Sequence, residues 1–247
     1  MTEDINLYLS DAIMERPYSF SVDYKKGKTT MSKRFYLYPM TLGKMFLFQR
    51  MISSLQINQR NLEIASSVEA LRLVNSKKDA CLSIITYGTC KDKYEVFDMD
   101  FVEKRKDFFS RNLSVEDMAT LLLILLTQDK TSQFIKHIGL DKEQDRLSTV
   151  MNVKNKENRN NVTFGGLSQY GTLIDSACER YGWTKDYVVW GIDYSSLRLM
   201  LADKITSVYL SDDELKKVPR WAITSNSAKI KADDPKNKEL IKSMSWK

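Results

Sequence analysis

Polar and apolar positions alternate early in the chain and then change period. Tyr18-Ser-Phe-Ser-Val-Asp-Tyr24 places an aromatic residue or Val at every second position, and Arg34-Phe-Tyr-Leu-Tyr38 is again rich in aromatics. A period of two puts successive side chains on opposite faces, so both stretches predict strands, with Lys25-Lys-Gly-Lys28 as the turn of a hairpin. Pro39 stops the second strand. Thr41 then offers a hydroxyl to cap a helix with Met45, Phe48, Ile52 and Leu55 on one face.

From Ser66 onward the period is helical. Ser66-Ser-Val-Glu69 has the spacing of a capping box, and Val68, Leu71, Val74, Cys81, Ile84 and Ile85 carry an apolar stripe to about Tyr87. Ser114-Val-Glu-Asp117 opens a second helix with acidic residues at its positive end and Met118, Leu121, Leu122 and Leu125 inward. A third covers about Ser132–Ile138 and is closed by Gly139. Asp141-Lys-Glu-Gln144 caps a fourth, with Leu147, Val150 and Met151 inward.

Residues 152–161 contain one apolar side chain, Val153, and predict a solvated linker. Beyond it the sequence turns aromatic and aliphatic. Leu173, Ile174, Ala177 and Tyr181 predict a helix ended by Gly182; Thr184 caps a short one through Tyr187, Val188 and Trp190, ended by Gly191. Asp193 or Ser195 starts another, with Leu197, Met200, Leu201, Ile205 and Val208 on one side. Ser211-Asp-Asp-Glu214 is a further capping box, and after Pro219 the chain is polar, basic and expected to be mobile. The expected organisation is therefore a β-hairpin plus helical domain over 1–151 and a polar linker over 152–162. An aromatic-rich helical unit over 163–215 and a basic flexible tail over 216–247 complete it. The fold class is mainly α: a helical bundle with a small N-terminal hairpin and a C-terminal short-helix unit.

Composition narrows the function. Nine Gly and four Pro in 247 residues are too few for a turn-rich β-sandwich or barrel of this size. Three Cys (Cys81, Cys90, Cys178) suit a reducing compartment, and a single His, His137, argues against His-based dyads and most zinc enzymes. The opening residues lack a secretory signal, and the most apolar run, Ala119–Leu126 with Thr120 inside it, falls well short of the ~20 residues of a membrane helix. A cytoplasmic, soluble protein is expected, with no membrane partner. The net charge of +6 resides in the tail: residues 216–247 hold nine basic and three acidic side chains, and residues 1–215 balance. A basic body following a phosphate backbone is not indicated, so nucleic acid could bind only weakly, through the tail.

The usual chemical signatures fail. Gly166-Leu-Ser-Gln-Tyr-Gly171 has P-loop glycine spacing, but Thr172-Leu173 follows where the phosphate-binding Lys is needed. Asp175 and Glu179 share a helix face without a His or second acidic pair, so a solvated face explains them. His137 suits a helix-end or surface role, and Cys81 and Cys90 have no metal-spaced partners. No catalytic residue, cofactor or metal is expected, and the protein is read as a non-enzyme. The unusual stretch is Tyr181-Gly-Trp-Thr-Lys-Asp-Tyr-Val-Val-Trp-Gly-Ile-Asp-Tyr194. Trp183, Tyr187 and Trp190 could form the core of a small three-helix unit, or part of the cluster could be exposed and dock a partner.

Tyr181-Gly-Trp-Thr-Lys-Asp-Tyr-Val-Val-Trp190, followed by Leu197-Arg-Leu-Met-Leu201, resembles the tail assembly chaperones of long-tailed bacteriophages and prophages. Arg34-Phe-Tyr-Leu-Tyr-Pro-Met-Thr-Leu42 also looks like the strand-then-helix opening of such phage proteins. The likeness covers residues 165–210 and, more loosely, 30–60. It implies a role in the bacterial host cytoplasm: binding apolar helices of the tape measure protein until the tail tube assembles around them. The partner surface expected on this reading comprises Trp183, Tyr187, Trp190, Tyr194, Leu197 and Met200, and self-association stays open as a second mode. The eleven Met residues suit a surface that accepts varied apolar partners. The rival readings are a structural tail or connector component of the virion, and an accessory protein binding nucleic acid through the basic tail.

Overall fold

The computed structural model describes residues 2–157 and 166–223. It is mainly helical, with an N-terminal two-stranded antiparallel hairpin and, among the described residues, fourteen helices. By compactness the chain divides into two units. The first takes the described residues of Met1–Ile138 and Gly165–Lys204; the second those of Gly139–Phe164 and Ile205–Lys247. The segment after residue 165 thus joins the N-terminal helices rather than standing as a separate unit.

In the first unit, α1 (Thr2–Ile13) leads into β1 (Tyr18–Lys26) and β2 (Thr29–Leu37), which turn at Gly27 with its φ of +66°. Phe20 pairs with Phe35 across the register. The inward face formed by Phe20, Val22, Phe35 and Leu37 packs on α7 (Met99–Asn112), where the Phe35 and Phe109 rings meet edge to face at 4.8 Å. Such aromatic pairs add about 0.5–1.5 kcal/mol to the burial itself. Thr41 caps α2 (Leu42–Leu55) as its position requires, its Oγ1 accepting from the Lys44 amide.

The helical stripe predicted from Ser66 to Tyr87 is broken. Three elements replace it: α3 (Gln59–Ile64), α4 (Ser66–Ser76) and α5 (Lys78–Gly88), with Lys77 at the break in non-helical backbone at φ −137° and ψ 43°. The capping box does not form either, because Ser66 is already inside α4 behind an Ala65 cap. Glu69 instead turns inward, where its carboxylate accepts from the Asn58 amide at 2.8 Å and from the Arg72 guanidinium at 2.6 Å. Leu73, Val74, Ile84 and Ile85 are fully buried against α8 (Val115–Leu126), whose Ser114–Asp117 capping box forms and whose Met118, Leu121, Leu122 and Leu125 are all inward. Two helices that the periodicity did not reveal, α6 (Lys93–Phe97) and α7, start on Asp92 and Asp98 side-chain caps.

After α9 (Thr131–Ile138) the second unit begins with α10 (Leu140–Glu157). Helix therefore covers 152–157, half of the predicted linker; its other residues and the tail from 224 onward lie outside the described residues. Charged side chains without apolar ones do not stop a helix when its N-terminal part is anchored. In this unit α10 packs on α13 (Asp212–Lys217), which has its Ser211–Glu214 capping box, and the Arg146 guanidinium donates to the Ala222 carbonyl at 3.3 Å.

The first unit resumes with α11 (Gln169–Tyr181), ended by Gly182 in the left-handed region at φ +66°. A π-helical turn over Tyr187–Gly191 and then α12 (Tyr194–Ala202) follow. The stripe extending α12 to Val208 is not helical: the helix stops at Ala202, and Ile205 is exposed.

Candidate functional site

The segment 181–200 is held by four local devices. Gly182 reverses the chain after α11; the Thr184 hydroxyl accepts from the Tyr187 amide at 3.2 Å; the π-turn widens the helix; and Asp193 caps α12. The widened turn spreads its aromatic side chains over different directions. As a result the six expected contact residues do not form one groove.

Leu197 is fully buried and belongs to the small core with Ala177, Val188 and Ile192, so it cannot touch a partner in the folded chain. Trp183 is half-buried against the same core, stacked on Tyr181 at 4.6 Å and edge-on to Tyr187 at 5.0 Å. Tyr187 and Met200 keep 44% and 38% of their surface, enough for a contact. Trp190 points elsewhere. Its indole lies over Gly43 of α2 and meets Phe97 of α6 edge to face at 5.5 Å. Tyr194 lines a cavity on another side of the unit.

Two concave sites stand out among the described residues. The first is a shallow, open groove of about 540 Å³ lined by Tyr94, Phe97, Asp98, Lys93, Asp186 and Trp190. Tyr94 and Phe97 are 75% and 68% exposed, which is unusual for aromatics carried on a five-residue helix. Lys93 closes one wall by an ion pair to Asp186 at 2.6 Å, and that pairing raises the lysine pKa. The sequence pointed to Trp190 but not to Tyr94 and Phe97, since α6 carried no recognisable period; Asp92, which can cap it, was the available signal.

The second is a deeper cavity of about 710 Å³ between α1, α2, the end of α8, α9 and the first turn of α12. Phe48, Ile52, Ile124 and Phe134 supply apolar walls. Asp193 stands at its inner edge and is only 5% exposed. One carboxylate oxygen, Oδ1, accepts from the Ser195 and Ser196 amides at 2.8 and 3.1 Å. Burial pushes the carboxyl above the usual range, opposed by those serines. The Asp193 amide donates to Glu15 and the Tyr194 amide to the Met40 carbonyl, so the start of α12 is pinned to the segment that leads into α2 and to the residues after α1.

Elsewhere, buried groups have structural partners. The Lys44 ammonium, 1% exposed, donates to the Cys90 carbonyl and lies over the Tyr38 ring; burial lowers its pKa to about 8. His137 meets Asn6 at 2.8 Å at the end of α9. Among the described residues, no group of three or more His, Cys, Asp or Glu is placed to hold a metal, and no helix is long and apolar enough to cross a membrane. No family model, curated protein or solved structure matches the chain.

Proposed function

We propose that the chain is a non-enzymatic tail assembly chaperone of a long-tailed phage or prophage that binds apolar helices of the tape measure protein. The observation that carries this reading is the aromatic groove of Tyr94, Phe97 and Trp190. One side of it, Asp186 and Trp190, belongs to the segment whose Gly-Trp turn and following helix resemble those chaperones, and the other, Tyr94 and Phe97, comes from α6. An amphipathic helix laid on exposed aromatic rings buries its apolar stripe against large, rigid surfaces with little loss of side-chain entropy. Met99, 56% exposed at the start of α7, extends the apolar surface beside Phe97 with an adaptable side chain.

The test is affinity capture of the full chain from phage-induced cells at moderate salt, with mass spectrometry of the bound proteins. A very long helical tail protein is expected as the dominant partner, with this chain absent from purified particles. Tyr94→Ser together with Phe97→Ser is expected to abolish that capture while far-UV circular dichroism stays unchanged. Unchanged capture by the double variant, or this chain found inside mature particles, would overturn the reading. The second result would favour a structural tail component.

A further inference from the structure

The deep cavity carries an unmet electrostatic demand that the helix-binding role does not use. Asp193 is more than nine-tenths buried, and its second oxygen, Oδ2, has no hydrogen-bond partner among the described residues. The side-chain oxygen of Gln128, Oε1, is buried without a partner as well, and both residues line the same cavity. A buried acceptor left unpaired costs the full desolvation of that group, and a carboxylate oxygen costs more than an amide. Two unsatisfied acceptors on one apolar-walled space therefore favour an occupant that brings donors.

The surrounding charges point the same way. Of the cationic side chains lining the space, Arg16 is engaged by Asp11 at 3.4 Å. Lys130 has its ammonium 3.2 Å from the centre of the Tyr8 ring, and burial lowers its pKa. The other lining acid, Asp129, accepts from the Thr131 amide at 3.0 Å, and Glu15 accepts from the Asp193 amide. The three lining acids, Asp11, Asp129 and Asp193, thus outnumber the two lining cations. The aromatic rim at Tyr8 already seats an ammonium, held by the negative face of the ring. The volume of about 710 Å³ lies within the span of small-molecule sites.

We propose that this cavity binds a small organic cation: an ammonium head that donates to Asp193 Oδ2 and Gln128 Oε1, on an aromatic or branched apolar body that packs against Phe48, Ile52 and Ile124. The site is separate from the Tyr94–Phe97–Trp190 groove, and its occupation does not depend on the chaperone reading. Selectivity follows from the chemistry of the head. An ammonium gains a charge-assisted bond to the carboxylate, a hydroxyl gains a neutral one, and a carboxylate head meets like charge.

Three probes of one shape test this: 1-naphthylmethylamine, 1-naphthalenemethanol and 1-naphthoic acid, each titrated calorimetrically into the full chain near neutral pH. The amine is expected to bind about tenfold tighter than the alcohol, the difference between a charge-assisted and a neutral hydrogen bond, and the acid not to bind. Asp193→Asn keeps a side-chain oxygen for the α12 cap and is expected to bring the amine down to the alcohol's affinity. Gln128→Leu is expected to weaken the amine while leaving the fold intact. Equal binding of the three probes, as in a water-filled apolar pocket without head-group preference, would overturn the proposal. So would no binding at millimolar concentration, or an amine preference that survives Asp193→Asn.

Discussion

The indole of Trp190 occupies the space that a side chain at Gly43 would need. A Cβ on Gly43 would stand 2.7 Å from three of the ring carbons, closer than such contacts allow. The absence of a side chain in the second position of α2 is therefore what lets the π-turn lie flat on that helix. It also fixes the ring edge that Phe97 meets.

Gly43→Ala should accordingly be destabilising despite the better helix propensity of Ala, by about 1–3 kcal/mol from overpacking. Trp190→Ala, which empties the same space, should cost about 2–4 kcal/mol. The double variant should be less destabilised than the sum, because the added methyl enters the vacated volume. Urea denaturation of the four chains of this cycle measures the coupling directly.

Leu197→Ala should cost about 2–5 kcal/mol, since the side chain is fully buried, whereas Met200→Ala one turn later should cost much less. Thermal unfolding of both separates the core side of α12 from its exposed side.

Lys44 gives a basic-side signature. Its folded pKa, lowered to about 8 by burial, lies below the ordinary 10.5, so the unfolded chain holds more protons between those values. Stability should rise as pH increases through that window, as the cost of burying the charge is relieved. In Lys44→Met this rise should disappear, which denaturant titrations at pH 7.5 and 10 can detect.

Glu69 gives the opposite one on the acidic side. The Arg72 guanidinium, with the Asn58 amide, pulls its carboxyl from the ordinary 4.5 down to about 2. The stabilisation is present above about pH 4.5 and is lost as pH falls toward 2, where the folded state must also take up the proton. Glu69→Gln should unfold more easily at neutral pH, with a flatter acid limb when the unfolding midpoint is followed from pH 6 to 2.5.

The thiols should divide by burial. Burial pushes Cys81 and Cys90 up to about 11, which keeps them as unreactive thiols, while Cys178 is only half-buried. An aromatic disulfide reagent under native conditions should modify Cys178 first, and the other two only at the rate of unfolding.

Local chemistry was legible where one residue acts on its neighbours. The turn at Gly27, the Thr41 and Asp193 caps, the capping boxes at Ser114 and Ser211 and the glycine stops at Gly139 and Gly182 all depend on groups within four residues of each other. The sequence alone therefore determined the mainly helical class and most of its element starts. Ser66-Ser-Val-Glu69 misled because the same glutamate had stronger partners: Arg72 one turn on and the Asn58 amide eleven positions back, met in a buried position, outcompete a solvent-exposed cap.

Tertiary structure alone decided which faces of those elements meet. Periodicity marks Leu197 and Met200 as apolar but does not say that the first is sealed and the second open. It marks Trp190 without revealing that a missing Cβ at Gly43 receives it, or that Phe97 from a short, aperiodic helix completes the groove. Nor can spacing show that Gln128 and Asp193, sixty-five positions apart, leave unpaired oxygens on one cavity. Helix formation is governed by hydrogen bonds over a few residues, whereas a concave site depends on the distances and exposed surfaces left after remote elements have packed.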